Sequence, residues 1–160
     1  MRLSTVRAVS LLRSTITMES HPIDELEIGQ SAEFAKTVTE TDIAMFCAIS
    51  GDFNPIHVDA EYAAASPFGA RVAHGPLTLA LSAGVLGMRL PGLGSVAVSN
   101  HIDYRRPVYI GDTITARVEV AGLERARNRA TMAVTWRNQA GDLVAEGEVV
   151  LKPPPPARER

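Results

Sequence analysis

The second half of the chain is dominated by runs in which apolar and polar residues alternate. The clearest run covers residues 113–120, and similar runs cover 96–104, 132–136 and 143–151. A period of two is typical of strands with one buried and one wet face. The connections between these runs, such as the hairpin loop 138–142, are too short for a parallel crossover. The pattern therefore predicts several long antiparallel strands.

A segment ahead of these strands, residues 77–86, is apolar nearly all round. A helix without a polar face has to be enclosed on every side. An antiparallel sheet that curls around this helix would bury it. The sequence therefore predicts an α+β fold of the hot-dog type, in which a curved antiparallel sheet wraps around a central apolar helix. Because such sheets commonly join edge to edge and so protect their edge strands, we expect a homodimer.

Composition places the chain among single-domain proteins. It has 160 residues, 46% of them hydrophobic, and a net charge of −2, so we expect one domain over residues 18–152 and no nucleic-acid partner. No run reaches the roughly 18 to 20 apolar residues of a membrane span, and we expect no membrane association. The single cysteine, Cys47, cannot form an internal disulfide and fits an apolar core position.

The two ends of the chain differ from this domain. Residues 1–17 contain arginines among Ser, Thr, Leu and Val and no acidic residue. This leader is either an organellar transit peptide or an over-long gene start ahead of Met18. We expect a cytoplasmic protein, or one of the mitochondrial matrix if the leader is a real transit peptide. Residues 153–160 begin with four prolines and predict a disordered tail.

The segment 50–57 holds the strongest chemical signal. Asp52 and His57 lie on either side of an Asn54-Pro55 pair, and Pro55 lacks the N–H that a helix interior requires, which predicts a sharp loop. Two titratable side chains that face one cavity suit acid/base chemistry on a water molecule. Ordinary turn chemistry, in which Asp and Asn cap nearby N–H groups, is the alternative.

Capping signals define the elements around this segment. Thr39 and Asp42 resemble a capping box at the start of a helix, and Gly51 fits its C-terminal end. This helix would deliver the chain directly into Asp52. Asp59 is placed to cap a second short helix over residues 61–65.

A third signal precedes the apolar segment. His74 and Gly75 stand before Pro76, which suits the first turn of a helix. Free backbone N–H groups at this point could hold a carbonyl oxygen that gains negative charge. The alternative is that His74 and Gly75 only shape the turn.

These residues match a known signature. Residues 51–57 read Gly-Asp-Phe-Asn-Pro-Ile-His, and further matching blocks lie at 68–71, 74–77, 90–95 and 104–112. The chain thereby resembles the MaoC-like (R)-specific enoyl-CoA hydratases, also called hydratase 2, over roughly residues 25–152.

The resemblance implies a lyase that reversibly adds water to a trans-2-enoyl-CoA with syn geometry and forms the (R)-3-hydroxyacyl-CoA. It implies that Asp52 and His57 are the catalytic pair, with the roles of acid and base open between them. The N–H of Gly75 would bind the thioester carbonyl. Asn54 and His74 would support the site, and no cofactor is implied.

The resemblance also bears on substrate binding. Members of the family often carry a hydroxyl residue in the central helix, where it lines the acyl tunnel. Here Ser82 offers the hydroxyl, although Ala83 is the nearer match in position, which leaves fine substrate selectivity open. Arg71, Arg105 and Arg106 are candidates for contacts to the phosphates of CoA, or they form a solvated basic face.

The sequence is also compatible with functions other than CoA-linked hydration. The first is dehydration of (R)-3-hydroxyacyl groups on acyl carrier protein in fatty acid synthesis. A thioesterase and a non-catalytic acyl-binding module are further alternatives, and the intact Asp-x-Asn-Pro-x-His signature argues against both. Asp52, His57 and His74 could in principle ligate zinc, but their spacing is unlike common zinc motifs, and we expect no metal. His101 is expected at the surface or in a dimer interface.

Overall fold

The computed structural model describes residues 18–156, so the predicted leader 1–17 and residues 157–160 lie outside the described part. Five antiparallel strands form one sheet in the order β1-β3-β4-β5-β2. The strands are β1 (Ser31–Thr37), β2 (Val96–Tyr104), β3 (Thr113–Glu124), β4 (Arg129–Arg137) and β5 (Leu143–Lys152). The helices are α1 (Glu40–Ser50), α2 (Pro55–Val58), α3 (Ala60–Ala65), α4 (Gly75–Ala80) and α5 (Ala83–Met88). The predicted antiparallel sheet is confirmed.

The core lies on the inner face of this sheet. The predicted alternation in β3 and β4 is confirmed over residues 113–120 and 130–136, where every second residue is buried and the residues between them are not. Their register pairs Ala116 with Trp136 and Val118 with Val134. Val85 of α5 is fully buried against this face. The sheet therefore covers the apolar helical segment on one side, as the α+β hot-dog fold requires.

The central helix differs from the prediction. Instead of one helix over 77–86, α4 ends at Ala80 and α5 begins at Ala83. The Ser82 hydroxyl donates to the Leu79 carbonyl over 2.7 Å, and the N–H of Ser82 also reaches that carbonyl at 3.1 Å. These short-range bonds replace the regular helical pattern at this point. The prediction of a continuous helix is wrong for this reason.

The expected enclosure of this helix on every side is also wrong for the single chain. Ala80 and Ala83 are exposed. They lie on a cavity shared with the edge strand β2, which among the described strands pairs only with β5, and Val96 and Val98 of β2 are 59% and 49% exposed. An apolar face therefore runs along β2 and the α4–α5 segment.

Helix α1 follows its predicted caps. The Thr39 hydroxyl accepts from the N–H of Asp42, and the Asp42 carboxylate accepts from the N–H of Thr39 at 2.8 Å. Gly51 closes the helix in the left-handed conformation, with φ at 76°. Cys47 is buried as expected. The capping box and the glycine C-cap are thus confirmed.

The disordered tail was predicted to begin at Pro153, but the first residues of that segment are packed against the domain. Pro153 and Pro154 are buried, and the Asn128 side chain donates to the Pro153 carbonyl over 3.1 Å. Because this hydrogen bond and burial hold the first two prolines, the packed chain extends past Lys152. No helix in the described range is both long and apolar enough to span a membrane.

Candidate active site

The segment after α1 shows the turn chemistry that the sequence suggested, and it also presents the half-exposed carboxylate of Asp52. The Asp52 carboxylate accepts from the N–H of Asn54 over 3.0 Å, and Asn54 caps α2 by accepting from the N–H of Ile56. Pro55 is the first residue of α2, where its missing N–H costs nothing. The predicted loop is therefore wrong beyond Asn54, because a short helix presents His57.

His57 is held in one orientation. Its side chain is buried, and its Nδ1 lies 2.7 Å from the Val72 carbonyl, which can only accept, so Nδ1 carries the hydrogen. The other nitrogen, Nε2, lies 3.9 Å from Oδ2 of Asp52, whose side chain is half exposed. This distance is too long for a direct hydrogen bond but suits a water molecule that contacts both atoms.

His74 lies directly beside this pair. Its side chain is 1% exposed, its Nε2 is 3.0 Å from the Asp52 carbonyl, and its ring stacks on His57 with 3.7 Å between centroids. Its Nδ1 is buried without a hydrogen-bond partner among the described residues. The structure thus brings Asp52, His57 and His74 together, although 22 residues separate the first from the last.

A cavity of about 340 Å³ opens next to His57. Gly75, Thr78, Tyr104 and Arg106 contribute to its wall, together with an apolar set: Ile56, Phe68, Val72, Ala73, Pro107, Val108 and Val144. Within the described part of the chain, the N–H of Gly75 has no acceptor. The predicted carbonyl donor therefore lies on the same cavity as the predicted catalytic histidine.

Tyr104 and Thr78 are cavity residues that the sequence did not single out. A Cβ atom at Gly75 would lie 2.8 Å from Cζ of Tyr104, so only glycine allows the ring to approach this closely. Partial burial raises the pKa of the Tyr104 phenol above its ordinary value of 10.0. The phenol therefore stays protonated at neutral pH. The position of Tyr104 in a matching block was its only signal.

Ser82 does not line this cavity. It lies instead on a second one of about 330 Å³, between the α4–α5 segment and the start of β2. Its hydroxyl is bonded to the Leu79 carbonyl, and Ala83 and Leu86 contribute apolar surface beside it. We refer to this second cavity as the apolar groove.

The three candidate arginines have different surroundings. Arg71 forms an ion pair with Glu40, and Arg105 pairs with Glu146 at 2.9 Å and with Asp103 at 3.3 Å. Arg106 lines the cavity of His57 and forms no ion pair with any described residue. Of the three predicted phosphate contacts, the structure thus places Arg106 at the cavity and pairs the other two with carboxylates. His101 is exposed on β2, as expected, with a side chain that is 74% accessible.

The same cluster is a candidate metal site. Asp52, His57 and His74 each bring one potential ligand atom within 4.8 Å of the others. However, Nε2 of His74 is bonded to the Asp52 carbonyl, and the His57 and His74 rings stack face to face. Metal ligands point their lone pairs at one centre, which stacked rings do not do. The donor set therefore fits a water site better than a metal site.

Several known proteins are similar to this chain in sequence and in fold. An (R)-specific enoyl-CoA hydratase of Rhodospirillum rubrum is 42% identical over 134 residues, which is 84% of this chain and 92% of that protein. A 3-hydroxybutyryl-CoA dehydratase of Methylorubrum extorquens is 42% identical over 131 residues, 82% of this chain and 83% of that protein. The unliganded R-hydratase of Pseudomonas aeruginosa superimposes with a TM-score of 0.81 and 36% identity, over 89% of this chain and 99% of that one.

The family model described as a MaoC-like domain matches residues 24–141. This range contains α1 to α5 and the whole cluster around Asp52 and His57. The chain therefore belongs to the MaoC-like domain family.

Proposed function

We propose that this protein is an (R)-specific enoyl-thioester hydratase, a hydro-lyase that reversibly converts trans-2-enoyl-CoA to (R)-3-hydroxyacyl-CoA by syn addition of water. The observation that carries this proposal is the 3.9 Å gap between Oδ2 of Asp52 and Nε2 of His57. It lies beside a cavity onto which Gly75 presents an N–H that has no acceptor among residues 18–156. The names of the relatives above agree with this reaction.

The gap supports the following chemistry. A water molecule in it contacts the carboxylate and the unprotonated Nε2, and these two groups take one proton from the water as its oxygen bonds to C3 of the enoyl group. The proton then passes to C2 from the same face, so the elements of water are added without any other reactant. Because both steps use one pair of groups on one side of the substrate, the addition is syn.

Gly75 supports the charge that forms during this step. When oxygen bonds to C3, negative charge moves toward the thioester carbonyl, and the N–H of Gly75 would donate to that oxygen. Loss of one such donor typically costs about 3 kcal/mol of transition-state stabilisation. Asn54 acts indirectly, because its side chain caps α2 and thereby holds His57.

Two further surfaces would bind the rest of the substrate. Arg106, which has no carboxylate partner in the described residues, is placed to meet a phosphate of the carrier arm at the cavity. The apolar groove, with Ala83, Leu86 and Leu151 in its wall, is of a kind that accepts an acyl chain.

The protein would act as a homodimer. One edge of the nine-residue strand β2 pairs with no other described strand, and the first six residues of β2 are exposed. A long apolar edge strand promotes uncontrolled pairing unless something covers it. Pairing with β2 of a second copy about a twofold axis would cover both edges and close the apolar groove.

The proposal is tested by incubating the purified protein with crotonyl-CoA and following the loss of enoyl absorbance, with chiral analysis of the product. We expect hydration to the (R)-3-hydroxy product. A parallel assay with crotonyl-acyl carrier protein separates the CoA-linked reaction from the carrier-linked dehydratase. Release of free thiol without hydration would instead indicate a thioesterase. If neither thioester reacts, both the proposed hydratase activity and the thioesterase alternative are refuted.

A further inference from the structure

We propose that His74 is a positioning residue for this reaction, because one buried imidazole bonds to the main chain of Asp52 and stacks on the ring of His57. The inference rests on the proposed function, since it concerns how the water-binding gap is kept at its width. His74 itself lies behind the pair and does not line the cavity.

The first contact is a hydrogen bond. The Asp52 carbonyl can only accept, so the 3.0 Å contact requires the hydrogen on Nε2 of His74. Cys47 lies 3.7 Å from the same nitrogen, a weaker contact through sulfur. The bond to the Asp52 carbonyl fixes the main chain of a residue whose side chain is half exposed and is tied to the protein by the N–H of Asn54.

The second contact is the stack on His57. The two rings are inclined by only 25° and their centroids are 3.7 Å apart, so His74 limits tilting of the His57 ring and its movement toward His74. Phe46 of α1 packs against His74 at 4.8 Å between centroids. His74 is therefore held by the core while it supports His57.

The segment that carries His74 is itself anchored. The Val72 carbonyl accepts from Nδ1 of His57, and the N–H of Ala73 donates to the Val108 carbonyl over 2.7 Å. Gly75, the proposed carbonyl donor, follows His74 directly. The segment 72–75 thus sets the tautomer of His57, the position of Asp52 and the position of the donor at once.

The geometric consequence concerns the gap. Its two atoms belong to different elements, and His74 is bonded to one of these elements and stacked on the other. A misplacement of 1 Å in such a site can lower the rate on the order of 10²-fold. Removal of the His74 contact should therefore lower kcat much more than it changes KM.

The test compares His74→Asn with His74→Gln. A glutamine amide nitrogen reaches the place of Nε2 and keeps a donor for the Asp52 carbonyl, whereas an asparagine amide reaches only the place of Nδ1. We expect kcat on crotonyl-CoA to fall roughly 100-fold in His74→Asn and only about tenfold in His74→Gln, with KM within about threefold of wild type in both. Glu61→Gln, at an exposed position of α3 whose side chain forms no hydrogen bond with any described residue, is the control and should keep wild-type kcat.

Three results would overturn the inference. These are wild-type kcat in His74→Asn, equal losses in the two variants, or a loss that follows the melting temperature and changes KM as much as kcat. If His74→Asn does not fold, His74→Phe takes its place, because phenylalanine keeps a stacked ring without the hydrogen bond. Its kcat and KM are then compared with those of wild type and His74→Gln in the same way. A wild-type protein inactive on both thioesters would refute the proposed function and the inference with it, whereas an active wild type beside an unaffected His74→Asn refutes the inference alone.

Discussion

The catalytic segments and the apolar groove are built differently. Around Asp52 and His57, the polar groups are tied by hydrogen bonds within one chain, and His57 and His74 are buried. Along β2 and the α4–α5 segment, apolar side chains are exposed and the strand edge has no partner among the described residues. The proposed acid/base groups are thus all held by contacts within one chain, whereas the groove has one open side.

The difference has a physical reason. Proton transfer depends on short distances, and a local network of directional hydrogen bonds can hold such distances. An acyl chain needs only a dry apolar volume, because the hydrophobic effect is non-directional. A second subunit can supply part of that volume without any change in the catalytic geometry.

The largest effect on kcat is expected from a change in the proposed acid/base pair. Asp52→Asn should lower kcat by roughly 10²- to 10⁴-fold, because an amide cannot take a proton from water. The bond from the N–H of Asn54 can persist in the variant, so the melting temperature should change little. The control is Asp59→Asn, which alters the cap of α3 and should keep the wild-type rate. Wild-type turnover in Asp52→Asn would refute the assignment.

Gly75→Ala tests the wall of the same cavity. The new Cβ would lie 2.8 Å from Cζ of Tyr104, so the ring must move out of its place. We expect kcat to fall by roughly 10- to 100-fold, because the carbonyl-binding region is disturbed. Tyr104→Ala in the same chain removes the clash and should restore part of the rate. Steady-state kinetics of the single and double variants would show this, and a double variant no faster than Gly75→Ala would contradict the steric explanation.

The groove side is tested by Val98→Lys on β2. A charged side chain at an edge that is 49% exposed in the single chain should prevent pairing between two copies. Size-exclusion chromatography with light scattering should then report the mass of one chain instead of two. Ile28→Lys, at a position that is 62% exposed and far along the chain from β2, is the control and should stay dimeric. A monomeric wild type would refute the dimer itself.

The smallest effect concerns α1, which leads into the site. Burial raises the pKa of Asp42, but hydrogen bonds from Lys36 and Thr39 outweigh it and hold the pKa below its ordinary value of 3.8. The stabilisation is therefore present above pH 3.8 and is lost as the pH falls through the lower folded-state pKa. Asp42→Ala should cost about 1 kcal/mol of unfolding free energy at neutral pH.

Urea unfolding of wild type and Asp42→Ala at several pH values measures this difference. It should shrink as the solution is acidified below pH 3.8, where the carboxyl of the unfolded chain takes up its proton before that of the folded chain. A difference that stays constant with pH would show that the ionised carboxylate is not the stabilising form. The rate on crotonyl-CoA should stay unchanged, because α1 keeps its position.

Much of the fold was predictable because local patterns specify it. The alternation in β3 follows from its buried face, and the capping box at Thr39 depends on residues only three positions apart. The break in the central helix was not predictable in the same way. A serine inside an apolar run is compatible with a continuous helix, and only the observed bond of Ser82 to the Leu79 carbonyl shows the interruption.

The members of the candidate site were named from the sequence, but their arrangement was not predictable. The spacing of Asp52, Asn54 and His57 indicated acid/base chemistry, and the matching blocks indicated Gly75. The pairing of Arg71 with Glu40 could not be foreseen, because these residues lie 31 positions apart. Which arginine stays without a carboxylate partner is decided by the packing of separate elements.

By itself, then, the sequence determined the antiparallel sheet, the caps of α1 and the chemical types of the site residues, since each depends on neighbours along the chain. Only the tertiary structure decided that His74 stacks on His57, that Tyr104 packs against Gly75 and that β2 presents an open apolar edge. These features depend on contacts between residues far apart in the chain. No local period or motif encodes the distance across such a contact.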